Sequence, residues 1–216
     1  MKNLFLLLSV VIFASCISKK NTTSHKKIPL LIANTLNKEE ENIVNDFLDF
    51  ELASERYKNY INREIILIEE AGDIIDNLLV YEYAYKDFHS YGNKSTTTDN
   101  DRLGWILDSI QIKELKNIYV ATKDYHWKSS DIRHFKVSII KNDTIRNIIN
   151  KGEYTNLPEK LLLNITRPLI INNNNAFISF RLRNLGFNTI NYYTALMKKV
   201  NGKWLIQASY WDGRVE

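Results

Sequence analysis

The stretch AFISFRLRNLGFNTINYYTALMKKVNGKWLIQASYW, residues 176–211, decides the fold. Together with ITRPLII (165–171) it holds four runs rich in β-branched and aromatic residues. Turn-forming clusters separate the runs: Asn172 to Asn175, Asn184 to Gly186, and Asn201-Gly202. An Asn-Gly pair between alternating strands is a strong hairpin signal, because both turn positions need positive φ. The C-terminal quarter therefore predicts an antiparallel meander, with side chains alternating between two faces along each run.

Upstream, the clearest element is a helix opening at Asn37. Asn37 and Glu40 form a capping-box pattern, and Glu39 to Glu41 put negative charge at the positive end of the helix dipole. Ile43, Phe47, Phe50, Ser54 and Tyr57 recur at helical spacing, widened by Val44 and Leu48, and Arg56 and Lys58 close the predicted helix. Asp46, Asp49, Glu51 and Glu55 fall off this stripe and read as a solvated face. EIILIEE (64–70) predicts a strand broken at Ala71-Gly72-Asp73. LLVYEYAYKDF (78–88) alternates, placing Tyr81, Tyr83 and Tyr85 on one side of a predicted strand. That row is a candidate stacking platform for a ligand, though packing of a sheet face against the first helix is the favoured reading.

Residues 92–101 (GNKSTTTDND) read as a polar loop, and Trp105 to Val120 leaves helix and strand open. DYHWKSSDIRHFKVSIIKND (124–143) predicts a hairpin, or a strand, turn and strand, with turns at Ser129 to Asp131 and at Lys141 to Asp143. RNIINKGEY predicts a short helix stopped near Gly152, followed by a loop at Leu157-Pro158. The expected architecture is a single α+β domain over 37–216, an N-terminal amphipathic helix packed on an antiparallel sheet that ends in a meander.

Composition sets outer bounds. The chain has 216 residues, 44% of them hydrophobic and 25% charged, which suits one globular domain with a sizeable core. A formal charge of +4 is too small an excess to announce nucleic acid, whose binders concentrate Lys and Arg on one face. There is one cysteine, Cys16, so no disulfide within the chain and no Cys-based metal site is expected. Seven glycines and no GxSxG, HExxH or phosphate-cradling loop leave no standard catalytic motif, and no cofactor is implied.

The first sixteen residues, MKNLFLLLSVVIFASC, carry Lys2, an apolar run from Leu4 to Ala14, and small residues Ala14 and Ser15 before Cys16. The run is too short to span a bilayer, which takes roughly 20 apolar residues. It has the layout of a secretory signal peptide, and Phe13-Ala14-Ser15-Cys16 resembles the lipobox of bacterial lipoproteins. The resemblance implies removal of 1–15, lipidation of Cys16, and anchoring of the domain to a membrane of the bacterial cell envelope. Residues 16–36, with Lys19, Lys20, Lys26 and Lys27, would then be the lipidated cysteine and a polar tether. The phrase KKVNGKW (198–204) is similar to the closing hairpin of small α+β envelope domains, including those of the NTF2-like type.

Two constellations bear on function. Asp124, His126, Asp131 and His134 form one constellation, in which Asp124, His126 and His134 are candidate ligands for a metal, or a base and its orienter for hydrolysis, if the chain turns at Ser129 to Asp131. Lys128 and Arg133 beside them disfavour a cation. Tyr210, Trp211, Asp212 and Arg214 suit recognition of a glycan or peptide at a sheet end, or a seal over the core with Trp211. The expectation is a non-catalytic envelope binding module for a protein, a glycan or a small ligand, with Tyr81, Tyr83, Tyr85, His126 and Trp211 as candidate contacts. An envelope hydrolase or metal-binding protein using His126 and His134 is the alternative.

Overall fold

The computed structural model of the chain describes residues 35–55, 57, 64–92, 105–120, 124–153, 160–184 and 189–212. The segment read as a signal peptide, Cys16 and most of the expected tether lie outside the described residues. So do nearly all of the polar loop expected at 92–101, the loop at Leu157-Pro158, Arg56, Lys58, Gly186 and Arg214.

The chain folds as an α+β protein, with four helices and one seven-stranded mixed sheet among the described residues. The helices are α1 (Lys38–Leu52), α2 (Ile74–Tyr91), α3 (Ser109–Tyr119) and α4 (Asn142–Asn150). The strands are β1 (Ile65–Ile68), β2 (Val137–Ile140), β3 (Leu161–Ile165), β4 (Leu169–Asn172), β5 (Asn175–Asn184), β6 (Thr189–Val200) and β7 (Lys203–Tyr210). Strand order is β2-β1-β3-β5-β6-β7, and β4 pairs with the first residues of β5 on the edge whose far end takes β3. The meander β5-β6-β7 is antiparallel as expected, and the turn at Asn201-Gly202 has φ of 51° and 83°. At the opposite edge the sheet is parallel: β1 pairs in parallel with both β2 and β3.

Three sequence-based expectations are corrected. The tyrosine-rich run 78–88 is the middle of α2. Asp73 caps its start, accepting from the Ile75 N–H at 2.9 Å, and Gly92 at φ 64° ends it. Ile74, Asn77, Leu78, Tyr81 and Ala84 are buried at spacings of three and four, so the helical period wins over the alternating aromatics. Second, 124–143 is not an antiparallel hairpin. His126 bridges Glu70, Ser129–Asp131 forms a 3₁₀ turn, and β2 joins β1 in parallel before Lys141 opens α4 where a turn was expected. Third, α1 ends at Leu52 rather than near Lys58 and exposes Phe50, while Tyr57 returns to the core through a short 3₁₀ turn. The undecided segment 105–120 contains α3, capped by Asp108 and Gln111.

The sheet has two covered faces. On one, Ile43, Val44, Phe47 and Leu48 of α1 pack on Leu161, Leu163 and Ile165 of β3, on Ile178, Phe180 and Leu182 of β5, and on Tyr193, Ala195, Met197 and Trp204. Phe47 meets Phe180 edge-on at 5.2 Å between centroids, a geometry worth roughly 0.5–1.5 kcal/mol beyond area burial. Residues thought to be solvated on α1 anchor it here. Glu51 is buried, accepting from Tyr57 Oη at 2.5 Å, from Asn191 Nδ2 at 2.9 Å and from the Tyr193 hydroxyl. Asp46 accepts from the Trp204 N–H at 2.8 Å. On the other face, α2 and α3 cover Leu169, Phe177, Leu196, Ala208 and Tyr210, while α4 places Ile145 over Ile66, Ile68 and Leu162.

Burial leaves a titration signature. Burial pushes the Tyr119 hydroxyl up to about 12, helped by the nearby Glu40 charge. Tyr81 is raised by burial, Tyr125 by burial and the Asp131 carboxylate that accepts its proton at 2.8 Å, and Tyr192 by burial with Asp212 and Asp76. In the unfolded chain these hydroxyls ionise near pH 10. The fold favours their neutral form, so the stability they contribute is intact below pH 10 and is lost as pH rises toward 12. An absorbance titration of the folded chain at 295 nm is expected to leave Tyr81, Tyr119 and Tyr125 silent at pH 10.5. Ionisation of all 12 tyrosines with one midpoint near 10 in the native state would contradict the burial.

Candidate ligand-binding cleft

Among the described residues, the face opposite α1 is covered from two ends, and the cover does not meet. Along β5 the side chains on that face run Phe177, Ser179, Arg181, Arg183, passing from apolar to charged as the strand leaves α2 for α4. In the gap between the two helices lies a cleft of about 260 Å³. Its floor is Leu162, Asn164 and Thr166 of β3 and its extension, Ser179, Arg181 and Arg183 of β5, and Tyr192 of β6. Ile68, Gly72 and Asp76 wall it at the end of β1 and the start of α2, and Asn142 does so at the start of α4.

Local chemistry explains the shape. After β1 the chain dips toward β3, where the Gly72 N–H donates to the Ile165 carbonyl at 3.0 Å. A Cβ at Gly72 would sit 2.9 Å from Asn164 Oδ1 and 3.0 Å from Thr166 Cγ2, so only glycine fits without displacing the floor. Glu70 holds the other wall, accepting from the Asn142 N–H at 2.8 Å. Beneath the floor a polar network fixes α2 to the sheet. Asn77 Oδ1 accepts from Ser179 Oγ at 2.8 Å and Thr166 Oγ1 at 3.1 Å, and Asn77 Nδ2 donates to the carbonyls of Ile74 and Arg167. Ser179 Oγ continues to Thr194 Oγ1 at 2.5 Å. Every buried member of this chain is satisfied, which favours a single rigid arrangement.

The guanidinium of Arg181 lies over the Tyr192 ring, 4.4 Å from its centroid. Stacking on the ring holds the guanidinium in one orientation. Asp76 and Asp212 are the carboxylates acting on the Tyr192 hydroxyl. A second hollow of about 270 Å³, sharing Asp76 and Tyr192 with the first, continues along α2 past Leu79, Glu82, Tyr83 and Lys86 to Asp212.

The residues singled out from sequence are dispersed. Tyr81 is fully buried, its hydroxyl bonded to the Leu107 N–H at 3.0 Å and carbonyl at 3.2 Å. Tyr83 is exposed and lines the second hollow, whereas Tyr85 stacks on His89 at 4.0 Å. Trp211 is half-buried against Tyr193, sealing the α1 face. His126 Nδ1 lies 3.2 Å from Glu69 Oε1, and His134 Nδ1 lies 2.7 Å from Asp49 Oδ2. The two imidazoles therefore face different carboxylates, and Asp124 is exposed. No group of three or more His, Cys, Asp or Glu among the described residues is placed to hold a metal. Arg181, Arg183 and Asn164 were missed, although the alternation in AFISFRLR already puts Ser179, Arg181 and Arg183 on one face.

Comparison with known proteins returned no match: no family model, no curated protein and no solved structure is similar to this chain.

Proposed function

We propose that this chain is an envelope lipoprotein whose domain is a non-catalytic binding module for a small ligand held in the cleft between α2 and α4. The cleft carries the reading. It combines a hydrogen-bonded floor with convergent polar groups and the apolar side chains of Ile68 and Leu162, a lining more polar than that of most ligand sites. Its volume of about 260 Å³ is just under the usual range of such sites, which suits a ligand the size of a metabolite. No helix among the described residues is long and apolar enough to cross a membrane. Attachment to the membrane therefore rests on the Phe13-Ala14-Ser15-Cys16 signal.

The ligand reading is tested by thermal shift on the full chain in detergent, with matched neutral, anionic and cationic small molecules. A ligand at 100 times its Kd stabilises by about 2.7 kcal/mol, or about 5–10 °C in a domain of this size. The shift is expected to vanish when Asn142→Trp fills the mouth of the cleft. Compounds that stabilise Asn142→Trp as well as the parent, or no stabilising compound at all, would overturn the reading. For the anchor, Cys16→Ser is expected to abolish labelling by radioactive palmitate and to leave the precursor unprocessed. Continued labelling of that variant would remove the lipoprotein assignment.

A further inference from the structure

We propose that the cleft selects an uncharged ligand bearing an amide-type group, a carbonyl beside an N–H, which the side-chain amides of Asn142 and Asn164 read by hydrogen bonding. This rests on the ligand-binding reading above and names the chemistry of what is bound. The polar lining divides into groups that the fold already uses and groups that it leaves open. Arg181, Arg183 and Asp76 each have partners within the fold. Arg181, for one, stacks on the Tyr192 ring and hydrogen-bonds the Tyr192 hydroxyl. The Thr166 and Ser179 hydroxyls are both engaged by Asn77 Oδ1, and Ser179 by Thr194 as well. Asn142 and Asn164 differ. Among the described residues neither side-chain amide has a hydrogen-bond partner: Glu70 takes only the backbone N–H of Asn142, and Asn164 is held through its backbone in the β3–β5 ladder.

Placement makes the two open amides a clamp. β3 sets Asn164 on the floor, where Gly72 lies so close that a Cβ there would sit 2.9 Å from Asn164 Oδ1. Asn142, the first residue of α4, stands at the mouth, fixed by its N–H bond to Glu70. Both are only partly exposed. An amide covered by a ligand without matching groups loses its water and gains nothing in return, so the site disfavours apolar ligands and rewards those with both a donor and an acceptor. An asparagine amide carries a carbonyl oxygen and an NH2 group side by side, and it pairs with a planar group of complementary pattern through two parallel bonds. A charged ligand gains less. It must shed its own water, and the arginines or the aspartate that would receive it are already engaged.

The experiment uses the full chain in detergent, titrated at constant ionic strength with succinamide, with its dianionic counterpart succinate, and with the neutral polyol myo-inositol. Saturable binding of succinamide is expected, with the other two weaker by about tenfold or more. Asn142→Ala and Asn164→Ala are each expected to weaken succinamide about three- to tenfold, as for loss of neutral hydrogen bonds. Both are expected to leave the melting temperature nearly unchanged, since neither amide braces the fold. Asn147→Ala, on the exposed side of α4, is expected to leave binding unchanged. Undiminished succinamide binding by the double Asn142→Ala/Asn164→Ala variant overturns the proposal. So does succinate or inositol binding in the Asn142→Trp-sensitive cleft at least as tightly as succinamide, and that result leaves the ligand-binding reading standing. Failure of succinamide to bind overturns it too, while any compound that stabilises the parent but not Asn142→Trp keeps the wider reading. If the double variant does not fold, the side-chain amide resonances of the parent chain carry the test. Those of two asparagines are expected to shift saturably with succinamide, and shifts absent or spread over all asparagines count against the assignment.

Discussion

Replacing Arg167 with alanine is expected to destabilise the fold by about 3–5 kcal/mol, the usual cost of leaving a buried charge without its partner. Arg167 lies just past β3 and reaches across to the first turn of α1. Its Nε donates to Glu40 Oε1 at 2.8 Å and its Nη2 to Glu40 Oε2 at 2.9 Å, a bidentate pair with Glu40 wholly buried. Nη2 also reaches the Thr35 carbonyl at 3.2 Å, and the guanidinium lies 5.2 Å from the centre of the Tyr125 ring. Glu40 meanwhile closes the capping box, accepting from the Asn37 N–H at 2.8 Å. Removing Arg167 thus strands a carboxylate at the point where α1 starts and docks. Urea denaturation followed by tryptophan fluorescence reads the loss. The paired change Glu40→Leu with Arg167→Met is expected to recover most of it, since a buried pair and an apolar replacement of similar volume are often close in energy. A loss under 1 kcal/mol for Arg167→Ala would show that the pair is hydrated in solution.

Asn77→Leu is expected to cost about 2–4 kcal/mol, because it removes a shared acceptor and a shared donor from a buried polar network at once. The hydroxyls of Thr166 and Ser179 lose a shared acceptor, and the carbonyls of Ile74 and Arg167 lose a donor. Leucine matches the volume, so the cost isolates hydrogen bonding from packing. Because Thr166 and Ser179 also line the cleft, the same substitution is expected to weaken ligand binding, whereas Arg167→Ala at the α1 face leaves the cleft lining intact. Measuring both stability and ligand affinity for the two variants separates the floor of the site from the docking of α1. Equal effects of both on affinity would mean that the cleft responds to global stability alone.

Much of the fold could be read locally. The capping box at Asn37 and Glu40, the strand after Glu64, the break at Gly72-Asp73 and the hairpin at Asn201-Gly202 each depend on residues a few positions apart. Helix α2 could not, because Tyr81, Tyr83 and Tyr85 satisfy period two while Ile74, Leu78, Tyr81 and Ala84 satisfy the helical period. Burial against Phe177 and Tyr210, nearly a hundred residues on or more, selects the second set. The acids of α1 were misjudged for the same reason. Glu51 reads as solvated by sequence, yet its partner Tyr193 lies 142 positions away, and the capping residue Glu40 takes a further partner, Arg167, 127 positions away.

Sequence by itself determined the α+β class, the capped N-terminal helix and the C-terminal meander, because each is written in short-range spacing and turn chemistry. Tertiary structure alone decided the parallel edge of the sheet, the helical state of 74–91 and the gap between α2 and α4. Those depend on which faces meet across long sequence separations. Arg181 and Arg183 show the division most plainly. Their shared face follows from the two-residue period of β5, but only the helices that stop short on either side make that face a cleft.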